Sequence, residues 1–177
     1  MSIYSDQKTV KPKIEDAASE YICDDKLRGL MDFLGFLHEN KLMVRWASWN
    51  SWKVSYKGKS MCFIKIDENR VHGVDGMSWL LMLSVFTREK WFLEYDDYFA
   101  NNELKEFIWE NVRGSWCSRD CKGHTKTVLG KSFNDFCGCW GIRVENPDDV
   151  ALERSKKVVL TIKNYITDLV ATSKSLH

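Results

Sequence analysis

Along the chain the spacing of apolar residues switches twice between a helical and a strand-like period. Asp24 to Glu39 carries Leu27, Leu30, Met31, Leu34 and Leu37 on one stripe, widened by Phe33 and Phe36, which predicts an amphipathic helix with Asp24 as N-cap and Asn40 as its stop. Lys13 to Ile22 reads as a shorter helix ahead of it. From Lys41 the pattern becomes rich in β-branched and aromatic residues. Leu42–Trp46, Trp52–Tyr56 and Met61–Ile66 are predicted strands, with Lys57-Gly58-Lys59 as a hairpin turn because glycine accepts positive φ at little cost. A further strand is expected near Arg70 to Val74, and Trp79 to Phe86 suits a buried strand or a short helix. Asn102 opens a helix with Leu104, Phe107, Ile108 and Val112 on one face, ending at Gly114. Thr125–Leu129 and Ile142–Glu145 are strand candidates, with Gly130-Lys131 as a turn between them. Pro147, taken as the first helical residue behind Asn146, introduces a last helix reaching about Val170 with Leu152, Val159, Ile162, Ile166 and Leu169 on its stripe.

The expected architecture is α+β: an antiparallel meander packed against N-terminal, middle and C-terminal helices. With 177 residues and two prolines, one domain over residues 13–170 is the default, flanked by loose tails at 1–12 and 171–177. Apolar residues make up 44%, with eight Trp, nine Phe and six Tyr, which excludes an intrinsically disordered class. Net charge is +1, so the chain lacks the electrostatic footprint of a dedicated nucleic-acid binder. No apolar run approaches membrane length, and the lysines near the N-terminus are not followed by a signal-like apolar core, so a soluble cytoplasmic protein is expected.

The sharpest chemical signal lies between Trp116 and Trp140. Cys117 and Cys121 form C-x3-C, and Cys137 and Cys139 form C-x-C after fifteen intervening residues. In a reducing compartment such clusters are more often metal ligands or catalytic thiols than disulfides. Two close pairs joined by a hairpin suit tetrahedral Zn2+, and Gly138 leaves room beside the metal. The segment from Arg113 to Arg143 carries six Lys or Arg against two Asp, a surrounding that stabilises the negative charge of a tetrathiolate zinc centre. His124 is a further candidate ligand, although a solvated turn histidine is its simpler role. The other readings of the cluster are a redox or nucleophilic thiol at Cys117 or Cys121, and ordinary packing.

At these residues a resemblance emerges. ELKEFIWENV, then C-x3-C, then GK-S-F-x-x-F-C and NPD before a last helix, resembles small uncharacterised proteins of anaerobic Firmicutes, and the W-x2-W-x2-W-x-V-x-YKGK-x-x-C-x-I run is similar to theirs as well. The helix-then-meander order is distantly similar to the small α+β proteins grouped as YdhG-like. The resemblance implies a fold and a metal site and carries no activity. The chain departs from it in having C-G-C where one cysteine is usual, which leaves open which of Cys137 and Cys139 binds.

Trp46, Trp49 and Trp52 recur every third residue. A bend around Ser48 to Ser51 brings them together as walls of a pocket for a planar aromatic or cationic ligand, with Glu94 or Asp96 as an acid nearby; the alternative is core packing. His38, in the last turn of its helix, meets the negative end of the dipole, and His72 fits a structural role. A basic zinc hairpin ending in Trp116 and Trp140, with Lys122, Lys126 and Lys131, matches the recipe for stacking on single strands, but the neutral whole chain weighs against it. No nucleophile elbow, zincin helix, Walker loop or dinucleotide fingerprint is present. The expectation is a zinc-stapled binding or regulatory module with a small-molecule or protein partner; the alternative is a thiol-dependent enzyme.

Overall fold

The computed structural model of the chain describes residues 7–68, 77–83, 98–99, 102–112, 123–136 and 142–175. Within them the helices are α1 (Gln7–Val10), α2 (Ile14–Tyr21), α3 (Asp24–Glu39), α4 (Asn102–Glu110) and α5 (Asp149–Ser175). The strands are β1 (Met43–Ser48), β2 (Ser51–Tyr56), β3 (Lys59–Glu68), β4 (Met77–Leu83), β5 (His124–Val128), β6 (Lys131–Phe136) and β7 (Ile142–Glu145). The fold is α+β. Strands β1 to β3 pair in order as the expected meander. Strand β4, where a buried strand or short helix was expected, and β7 extend it into a five-stranded antiparallel sheet in the order β1-β2-β3-β4-β7. Strands β5 and β6 pair only with each other, as a separate hairpin. No helix among the described residues is long and apolar enough to cross a membrane. The strand expected at Arg70 to Val74 lies outside the described residues.

Alternation with period two decides which side chains of the sheet are buried. Cross-strand pairs Trp52–Ile64, Val54–Cys62, Ile64–Leu81, Ile66–Trp79, Leu81–Val144 and Leu83–Ile142 share one face. All of these side chains are buried. Helix α3 lies on β1 and β4, and α5 packs on α3, α4 and β3, so the helices cover this face. Helix α3 contributes Leu30, Phe33, Leu34 and Leu37, and α5 contributes Leu152, Val158, Val159, Ile162, Tyr165 and Ile166.

Two expected stripe members fall at the margin instead. Met31 and Leu169 are exposed, because the neighbours that complete the seam are Phe33 in α3 and Tyr165 in α5. The caps also differ from expectation. Cys23 is the N-cap of α3, in an extended conformation, while Asp24 takes positive φ as the first helical residue. At α5 the helix begins two residues after Pro147: the Asp148 carboxylate accepts a hydrogen bond from the Ala151 N–H at 2.8 Å, and its carbonyl accepts one from Leu152. Helix α5 continues to Ser175, past the expected end at Val170.

Three indoles, those of Trp52 and Trp79 buried and that of Trp109 half-buried, tie the layers together, each donating its N–H to a backbone carbonyl. Trp79 donates to Lys26 at 3.1 Å, Trp109 to Val128 at 2.8 Å and Trp52 to Pro12 at 2.9 Å. These bonds join β4 to α3, α4 to the β5–β6 hairpin, and β2 to the segment ahead of α2. Each gives a large apolar side chain a satisfied polar tip.

Candidate functional site

The segment Gln7 to Pro12, expected to be a loose tail, is packed onto the first hairpin. Asn50 takes positive φ in the turn between β1 and β2 and is buried. Its carbonyl accepts from Ile66 N–H at 2.9 Å, which leaves its N–H and its amide to be satisfied from elsewhere. Gln7 meets most of this demand: its Oε1 accepts from the Asn50 N–H at 2.8 Å and from the Trp46 indole at 3.4 Å, and its Nε2 donates to Asn50 Oδ1, while Asn50 Nδ2 has no partner among the described residues. One buried amide therefore fixes both the turn and the orientation of Trp46. Lys11 then closes α1 with positive φ, its N–H donating to the Gln7 carbonyl at 2.7 Å. Pro12 is held from below by Trp52.

This clasp encloses a groove of about 640 Å³ between the N-terminal segment and the sheet's edge strand. One side is formed by Lys11, Pro12, Lys13 and the start of α2, Ile14 and Glu15. The other is formed by His38 and by Val44, Arg45 and Trp46 of β1, with Trp52 beneath. That volume falls within the range of small-molecule sites, about 300–1,000 Å³. Lys11, Lys13 and Arg45 are exposed, Trp46 is half-buried, and Ile14 and Trp52 are buried. Glu15 approaches His38, with Oε1 3.6 Å from Nε2, a contact that becomes an ion pair when the imidazole is protonated. Helix α2 starts without a side-chain cap. Its first N–H groups have no intrahelical acceptor, and Glu15 and Asp16 in the first turn offset their positive potential.

The three tryptophans proposed as a pocket separate in space. Trp46 and Trp52 are cross-strand partners and both border the groove. Trp52 is 1% exposed and serves as floor and core, whereas Trp49 sits in the turn at 59% exposure, away from the groove lining. Glu94, Asp96 and His72 lie outside the described residues. The lining residues that sequence reasoning overlooked are Lys11, Lys13, Glu15, His38 and Arg45, and the Lys-Pro-Lys run ahead of an amphipathic helix was the available hint.

Cys117, Cys121, Cys137 and Cys139 likewise lie outside the described residues, and among the described residues no three metal-ligating side chains gather. His124 is exposed at the base of the hairpin, opposite Phe136. Of the described cysteines, Cys23 is exposed, and Cys62 is sealed in the core, where burial pushes its thiol well above its ordinary pKa. Lys126 lies over the Phe136 ring at 5.5 Å, and Lys131 over Trp109 at 5.3 Å and Phe133 at 5.5 Å.

Fold and groove together define a small α+β protein with a tryptophan-walled, cation-rimmed groove at the edge of an antiparallel sheet. Compared with protein-family models, with curated proteins and with solved structures, the chain matches none.

Proposed function

We propose that this protein is a binding module, in a regulatory setting, whose small-molecule ligand occupies the groove between Lys11–Glu15 and Val44–Trp46. The observation that carries this reading is the groove itself, a concave site with an indole wall held in place by a dedicated amide clasp. Burying the Gln7 amide is costly unless it is bonded, and it bonds to the Asn50 turn and the Trp46 indole, so the clasp is a device for placing Trp46. The test is a thermal-shift screen of planar aromatic compounds against the wild type and a Val44→Phe variant, which fills the groove. Compounds that raise the melting temperature of the wild type and leave Val44→Phe unmoved support the reading. Equal shifts in both proteins, or no shift with any compound, contradict it.

The same proposal assigns a structural Zn2+ to Cys117, Cys121, Cys137 and Cys139. Its support is the hairpin that separates the two pairs. Gly123 has positive φ, and a Cβ added there would lie 2.6 Å from the Asp135 Cα, so the two chains touch at the hairpin base. Cys121 precedes Gly123 by two residues and Cys137 follows Asp135 by two. Two residues span at most about 7 Å, so this contact keeps Cys121 and Cys137, one member of each pair, within reach of a common ion bound through sulfur at about 2.3 Å. Elemental analysis with thiol titration before and after chelation tests this. About one zinc per chain, with four thiols released by the chelator, is expected; no zinc with freely titrating thiols contradicts it. A thiol enzyme acting through Cys117 or Cys121 would instead leave a reactive thiol while the metal is bound.

A further inference from the structure

Resting on the groove as the ligand site, we infer that its ligand is a small planar aromatic anion, a ring system bearing a carboxylate or phosphate, and not the cation that an indole wall alone suggests. Two cationic residues, Lys11 and Lys13, line one side of the groove, whereas Arg45, between Val44 and Trp46 on β1 and opposite Lys53, faces the other side of the sheet. Neither lysine is engaged in an ion pair among the described residues. The single carboxylate of the lining, Glu15, already faces His38 at 3.6 Å. With two lysines against one carboxylate, the groove carries an excess of positive charge before any ligand enters. A cation stacked on Trp46 would meet that field and lose more than the ring quadrupole returns.

The aromatic part of the assignment comes from the other half of the lining. Trp46 is half-buried with its indole N–H directed to Gln7, so the ring is positioned without help from a ligand. Ile14 and Val44 supply the apolar contact around it, and Trp52 closes the floor. A flat ring against Trp46 would place an acidic substituent toward Lys11 and Lys13 at the rim. A larger polyanion such as a nucleic-acid strand needs an extended basic track, whereas these cations ring one cavity of about 640 Å³.

The experiment compares three probes sharing one ring: 2-naphthoate, 2-naphthalenemethanol and 2-naphthylmethylammonium, titrated calorimetrically into the full chain at low and high salt. The expected order of affinity is anion, then neutral alcohol, then cation. Lys11→Ala and Lys13→Ala, at exposed positions that leave the fold intact, should each weaken 2-naphthoate about fivefold and flatten its salt dependence. Lys13→Glu should bring the ammonium probe level with or ahead of the carboxylate. If the ammonium probe binds the wild type as well as or better than 2-naphthoate, and Val44→Phe abolishes its binding, the groove is a ligand site but the anion assignment is overturned. If 2-naphthoate binds and neither Lys11→Ala nor Lys13→Ala moves its affinity, the assignment is also overturned. If none of the three probes binds, both the assignment and the groove as a ligand site fall.

Discussion

Trp52 joins the groove to the core, and replacing it separates the two roles the tryptophans play. At 1% exposure in β2, it lies opposite Trp46 on one neighbouring strand and Ile64 on the other. A tryptophan buries about 150–250 Å², which at about 25 cal/mol per Å² amounts to roughly 4–6 kcal/mol as an upper figure. Measured losses for such truncations are about 3–5 kcal/mol, the range expected for Trp52→Ala. Trp52→Phe keeps most of the ring but strips the Pro12 carbonyl of its donor, a loss of about 1–3 kcal/mol. Because that bond holds the N-terminal segment, Trp52→Phe should also speed limited proteolysis near residues 8–13. Trp49→Ala, at an exposed turn position, should change stability by no more than about 0.5 kcal/mol. The assay is urea denaturation of the three variants, followed by circular dichroism because tryptophan removal alters the fluorescence signal. Trp52→Ala within 1 kcal/mol of wild type, or Trp49→Ala as costly as Trp52→Ala, would refute the reasoning.

Three further outcomes follow from local geometry. Gly123→Ala should destabilise the β5–β6 hairpin more than Gly130→Ala, since both have positive φ but only Gly123 would drive a Cβ into the Asp135 backbone; hydrogen exchange of the hairpin amides reads the difference. Asp148→Ala should cost about 1 kcal/mol by removing the cap on the α5 N-terminus, and Asp148→Asn should recover most of it in the same denaturation assay. If zinc staples the hairpin, Cys117→Ser should lower stability by several kcal/mol and Cys23→Ser, at an exposed position, by far less; equal melting temperatures for Cys117→Ser and wild type would refute the staple.

The sheet and the long helices were legible in the sequence because their determinants are local. Alternating burial marked β2 and β3, and Gly58, with positive φ, fits the turn joining them. Leu30, Leu34 and Leu37 marked the buried seam of α3. Helix caps were less legible, because several neighbouring residues can supply the bond. Asp148 caps α5 where Asn146-Pro147 had signalled the start, and Asn146 instead accepts from the Trp79 N–H at 3.1 Å. The groove was the least legible feature. Gln7 bonds to groups 39 and 43 positions away, and Lys13 shares the groove with Val44 and Trp46 although two helices separate them along the chain, so no period marks them as one site. Three tryptophans at even spacing suggested a common wall, but the register places Trp46 opposite Trp52 and leaves Trp49 in the turn.

The most direct test of the groove as ligand site is the indole N–H region of an ¹⁵N-labelled NMR spectrum, with Trp46 and Trp49 assigned through Trp46→Phe and Trp49→Phe. On titration with 2-naphthoate the Trp46 resonance should shift progressively and saturably, because its ring borders the groove and its N–H meets Gln7. The Trp49 resonance should stay in place. A saturable shift of Trp49 with Trp46 unmoved would contradict the account.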